Sequence, residues 1–200
     1  MTLTRPLILT ALVIAASFGS ICAQRRDRLP PPRDPQYYAP RNSLEEFESR
    51  LGTILIKGHT YVGTVRAQNG NARVEAMEIR DSANSQRATG AVVTVTPETA
   101  GPALEIRSLI DYEEIDSFVK AVDTIAKADE TITKLTHFEV RYRTRGDFEI
   151  IVFKQMTGGI AVAVEVGFYE RTRLLLTLEE LMRLRWMVAQ AKDRLDEIKN

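Results

Sequence analysis

The chain reads as an α+β domain, an antiparallel sheet with helices on one face, assembled from two β4α units. Two observations predict this. The hydrophobic period changes from about two to about four along residues 53–130, and changes again in the same order along 135–200. Three segments also open on a capping residue followed three positions later by glutamate: Ser43/Glu46, Asp111/Glu114 and Thr177/Glu180.

Taken in order, the first helix spans Leu44 to Leu51 and stops at Gly52. Ile54, Ile56 and Tyr61–Val65 predict a first strand, bent at Gly58, and the alternation from Val74 to Ile79 predicts a second. Ala91–Thr96 is β-branched and is ended by Pro97, and Leu104–Leu109 follows the turn residues Gly101-Pro102. Ile115, Phe118, Val119, Val122, Ile125 and Ala126 draw one apolar stripe on a second helix.

The second half opens on the clearest hairpin, Phe138–Arg143 and Phe148–Phe153 around Arg145-Gly146-Asp147. Gly158-Gly159 turns into a strand from Ile160 to Phe168, and Arg173–Leu176 leads into a last helix. That helix carries Leu178, Leu181, Leu184, Val188, Ala191, Leu195 and Ile198 on one face. In a duplicated reading, Leu104-Glu105-Ile106 and Val164-Glu165-Val166 hold comparable places before their helices.

Ahead of the domain, residues 1–23 have the parts of a cleavable secretory signal. Arg5 supplies the charge, Pro6–Phe18 the apolar core, and small residues precede a cut after Ala23. The run is shorter than the roughly 20 residues that span a bilayer, so no transmembrane segment is expected in the mature chain. Ile21 before Cys22 is a poor match to a lipoprotein signal. Residues 24–42 hold five prolines and five arginines and predict an extended, disordered linker. The address is therefore export, periplasmic or secreted, with a single α+β domain at 43–200.

Cys22 is the only cysteine, so the mature chain has no disulfide and no thiolate nucleophile or ligand. Stability must come from the core, and 44% hydrophobic residues suffice for one. Lysine plus arginine balance aspartate plus glutamate at 27 each, which disfavours nucleic acid as a partner.

No catalytic, cofactor-binding or metal-ligating residues are assigned, and no cofactor is expected. His59 and His137 fall in separate halves without a nearby second ligand. Asp111, Glu113, Glu114 and Asp116 crowd a helix start, where acidic side chains suit the helix dipole. Arg145-Gly146-Asp147 matches the tripeptide that integrins recognise and would sit at a hairpin tip, although Gly and Asp are also what a tight turn needs. There is no Gly-rich phosphate loop, serine elbow, zinc-protease signature or glycosylation sequon.

Two surfaces are singled out. Arg141, Arg143 and Arg145 alternate as a basic face with Tyr142 opposite, and Arg171, Arg173, Arg183 and Arg185 form further basic positions. Met182, Trp186 and Met187 lie off the main stripe of the last helix as a patch for a partner, expected to be another envelope protein. With two β4α units, the topology resembles that of the whirly and PUR-type single-strand nucleic-acid binders, which implies polyanion binding through basic strands. The function expected first is an exported, non-catalytic binding or envelope-structural domain. The polyanion binder is the alternative, and an unrecognised enzyme comes third.

Overall fold

The computed structural model describes residues 39–98, 105–129, 131–168 and 171–199. The signal-like segment at 1–23, the tract at 24–38 and Leu104 lie outside the described residues. The elements run α1 (Ser43–Glu48), β1 (Leu55–Ala67), β2 (Gly70–Asp81), β3 (Arg87–Pro97), β4 (Ile106–Asp111), α2 (Tyr112–Ile125), β5 (Glu139–Arg143), β6 (Phe148–Lys154), β7 (Ile160–Val166), β8 (Thr172–Leu176) and α3 (Leu178–Glu197).

The class is α+β, with two antiparallel four-stranded sheets where the sequence suggests one. Their orders are β1-β2-β3-β4 and β5-β6-β7-β8. Inner-face residues of both sheets and both long helices share one core. Val74, Val93 and Ile110 meet Ile150, Val164 and Leu174 around Phe118, Val122, Leu184 and Val188. Phe118 fixes the centre with edge-on contacts to Phe148 (5.7 Å) and Tyr142 (6.3 Å).

The two long helices bury the stripes that their spacing predicts: Ile115, Phe118, Val122 and Ile125 on α2, and Leu181, Leu184, Val188, Ala191 and Leu195 on α3. Leu178 and Ile198, at the ends of α3, are exposed. α3 follows the second sheet but packs mainly across β1 and β2 of the first. The crossing is close at Gly63, where a Cβ would meet the flexible end of the Met187 side chain at 2.8 Å. Beside the core, Arg185 reaches Asp123 (2.7 Å), Lys192 reaches Asp116 (2.5 Å) and Tyr112 donates to Asp196, joining α2 to α3.

The helices do not share one face. α1 lies on the opposite side of the first sheet, where Leu44 and Phe47 pack on Met77, Ile79, Val92 and Leu109. β2 and β3 are therefore apolar on both faces along part of their length, the pattern of a strand covered twice. α1 also ends at Glu48 rather than Leu51, and its cap is Asn42 rather than Ser43. The Asn42 side chain accepts the Glu45 N–H (2.8 Å) and donates to the Leu109 carbonyl (2.7 Å), so Asn42 is part of the fold.

The ladder of β1 with β2 is unbroken at Gly58, which pairs with Glu78. The pairing continues to an irregularity between Tyr61 and Gly63, where the register slips by one residue at Val62. Such a bulge exchanges the two faces of a strand. Lys57, His59 and Tyr61 lie outside the core before it, whereas Gly63 and Val65 turn inward after it.

The strand before α3 is β8, so Val164-Glu165-Val166, in β7, is not the counterpart of Glu105-Ile106 in β4. A correspondence does appear in how the hairpin tips dock. The β5–β6 tip packs on β4: Ser108 Oγ donates to the Gly146 carbonyl at 2.6 Å. The β1–β2 tip packs on β8: Gln68 N–H donates to the Leu175 carbonyl (3.1 Å), and the Asn69 side chain bonds Arg173 O (2.8 Å) and Leu175 N (2.9 Å).

Candidate functional site

Of the three segments that open on a capping signature, only Thr177 with Glu180 forms the reciprocal box, with bonds of 3.2 and 2.7 Å. Asp111 precedes α2, but its carboxylate accepts Ser43 N–H (2.8 Å) and Leu44 N–H (3.1 Å) and so holds the start of α1. Glu114 does not reach back either. Its Oε1 accepts the Arg145 N–H at 2.9 Å and its Oε2 is buried without a partner. Burial pushes the Glu114 carboxyl above its usual range, with Asp111 adding to the rise, while the Arg145 N–H and guanidinium oppose it.

These carboxylates meet the β5–β6 turn, which is not a displayed loop. Gly146 and Asp147 are buried, and a side chain at Gly146 would strike the Leu109 carbonyl and, at 2.8 Å, the Asn42 amide. Asp147 pairs with Arg41 and Arg143. The Arg-Gly-Asp tripeptide is thus a structural plug, and its aspartate is unavailable to a receptor. Of the acidic cluster at the α2 start, Asp111 and Glu114 Oε1 are committed to backbone N–H groups and Asp116 is held by Lys192, while Glu113 is exposed.

The arginines of the second sheet lie on its outer face among carboxylates. Arg141 pairs with Glu139 and Glu149, and Arg171 bridges Glu149 and Glu165 at 3.0 Å each. Arg173 Nε donates to Glu165 at 2.7 Å. Arg145 lies in the turn, outside β5, so it does not continue the alternation of Arg141 and Arg143. Tyr142 faces the core, as expected of its place opposite the arginines. On α3, Met182 and Met187 pack against the core from either flank, leaving Trp186 standing out at 54% exposed.

The surface that sequence reading missed is the outer face of the first sheet. α1 has six residues and is about 9 Å long, while β1 has thirteen and extends for about 40 Å. Among the described residues, the helix therefore leaves much of that face uncovered. Pairing places Thr64, Arg73, Thr94 and Arg107 in one cross-strand row and Arg66, Asn71 and Thr96 in the next. Tyr61 lies beside them, 61% exposed, its hydroxyl hydrogen-bonded to Thr64 Oγ1 at 3.1 Å.

Two open hollows mark this face. One of about 600 Å³ is lined by Thr64, Arg66, Asn71, Thr96 and Glu98, with Ala67, Gly70 and Pro97 at its end. The other, about 400 Å³, is lined by His59, Arg73, Glu75, Val92, Thr94, Glu105 and Arg107. Arg73 is braced by Glu75 (3.2 Å) and Glu105 (3.5 Å), and Arg107 by Glu48 of α1 (2.8 Å). Among the described residues no ion pair holds Arg66.

His59 stands on this face, whereas His137 is an exposed residue ahead of β5. No group of three or more metal-ligating side chains is gathered among the described residues. Among these residues, too, no helix is long and apolar enough to cross a membrane. No protein family, curated protein or solved structure matches the chain.

Proposed function

We propose that the chain is exported and acts as a non-catalytic binding domain whose ligand surface is the outer face of the first sheet. The observation that carries this reading is the uncovered pair of polar rows across β1–β4, with two hollows over them. The buried Asp111 carboxylate holds the start of α1 and Glu114 Oε1 holds the β5–β6 turn, which argues for structural roles at those positions. The signal-like residues 1–23 and the proline-rich tract at 24–42 support an extracytoplasmic address.

Within this reading β1–β4 with α2 and β5–β8 with α3 are duplicated units. The repeated element order and the reciprocal docking of hairpin tips support it. Trp186, exposed between Met182 and Met187, is proposed as a separate contact for an envelope protein. The polyanion alternative is weakened where it was expected, because Arg141 and Arg143 are spent on carboxylates.

The test is expression of the full chain in its native host, followed by mass spectrometry of its N-terminus and NMR titration with soluble envelope fragments. A product beginning at Gln24, with amide shifts confined to Thr64, Asn71, Thr94 and their neighbours, is the expected outcome. A cytoplasmic product retaining Met1 overturns export, and shifts centred on Arg141, or on Trp186 with none on the outer face of the first sheet, overturn the choice of surface.

A further inference from the structure

We infer that the ligand of the first sheet's outer face is a neutral, polyhydroxylated chain, that is, a glycan strand lying across β1–β4. The inference rests on the proposal that this face is the binding surface, and it goes on to name the chemistry. The two hollows together present Arg66, Arg73 and Arg107 against Glu75, Glu98 and Glu105. Cations and carboxylates are equal in number here, and Arg73 and Arg107 are held in ion pairs, which leaves Arg66 as the one of the three unpaired among the described residues, so the face carries little net charge to draw a polyanion. Guanidiniums fixed by glutamates still project N–H groups, and the carboxylates still offer acceptors. Such donor–acceptor pairs, with the hydroxyls of Thr64 and Thr96 and the amide of Asn71, match a ligand rich in hydroxyl groups.

Shape narrows the class further. Small-molecule sites enclose most of their ligand, whereas these hollows lie open side by side along the same strands, as an extended chain requires. A protein partner would need an apolar centre, and the two rows supply threonine, asparagine and arginine instead. Tyr61 adds the apolar element that a sugar ring does need. Its ring is exposed on the same face and its hydroxyl is tied to Thr64, so it is held in place as a stacking platform before any ligand arrives.

The experiment is isothermal titration of the full chain with cellotetraose, mannotetraose and chitotetraose, followed by amide-shift mapping with whichever binds. Expected is saturable binding of at least one, with Kd at or below about 1 mM. Affinity should change little between low and moderate salt, and shifts should fall on Thr64, Asn71 and Thr94. Tyr61→Ala removes an exposed ring without touching the core and should weaken binding about tenfold. Thr64→Val frees the ring while keeping it, and should produce a smaller loss. Failure of all three tetramers, or Tyr61→Ala binding as tightly as the wild type, overturns the glycan. A single-stranded oligonucleotide that shifts the same amides with steep salt dependence also overturns it, yet leaves the binding surface standing. Glycan shifts located elsewhere remove both.

Discussion

Replacing Asp111 by alanine removes two acceptors that hold the start of α1, leaving the Asn42 cap. The carboxylate is buried and takes the N–H groups of Ser43 and Leu44 from 67–68 residues away. Hydrogen bonds to a charged group contribute about 1.5–3 kcal/mol each, which sets the gross loss at about 3–6 kcal/mol. The protein has an escape, because α1 can leave the sheet. Its docking rests on Leu44 and Phe47, whose burial is worth about 1.5–3 kcal/mol each before the entropy of ordering the segment is subtracted. The loss is therefore capped, and about 3 kcal/mol is expected. Urea unfolding reads it through Trp186, the single tryptophan, which sits on α3 far from the change in sequence. The denaturant slope should also fall, since a detached α1 exposes surface before global unfolding. Leu44→Ala acts on the same docking event, so the double variant should cost little more than the worse single one. A loss below about 1 kcal/mol for Asp111→Ala, or full additivity with Leu44→Ala, would refute this account.

Three further outcomes are expected. Gly146→Ala pushes a methyl into the Leu109 backbone and should cost about 2–3 kcal/mol, lowering Tm by roughly 5–10 °C. Gly63→Ala meets only the flexible end of Met187 and should cost less than half as much in the same thermal melts. Glu114, raised by burial, favours the neutral carboxyl in the fold. Its contribution is present below the ordinary value of 4.5 and is lost as pH rises through the folded value, so wild-type stability minus that of Glu114→Gln should fall with pH just above 4.5. Thr177→Ala breaks the capping box of α3 and should cost about 1 kcal/mol in urea unfolding, with the denaturant slope unchanged.

Local patterns were readable where one face of an element meets one neighbour. The hairpin of β5 and β6 and the stripes of α2 and α3 follow from periods of two and about four. Partner choice was not, because a helix stripe is the same whichever sheet it covers. Nothing in Leu181, Leu184 and Val188 says that α3 lies across the first sheet rather than the one it follows. Asp111 sits where a cap for α2 belongs, and only long-range folding turns it towards α1. The ligand face is hidden for the same reason. Arg66, Arg73 and Arg107 belong to three different strands, and the register, slipped by the bulge at Val62, sets them on one face in two adjoining rows.

Hairpin tips are the usual places to cut, tag or lengthen a chain, since they carry few contacts. In this protein that habit misleads at two of them. The tips at Gln68-Asn69 and Arg145-Gly146 are wedged against the last strand of the opposite half, so an epitope inserted there would pry the halves apart. The tip at 156–159 differs: Met156 is almost fully exposed and both glycines face open space. A fluorophore or affinity handle belongs at that third tip, where it would leave undisturbed the joint that holds the domain closed.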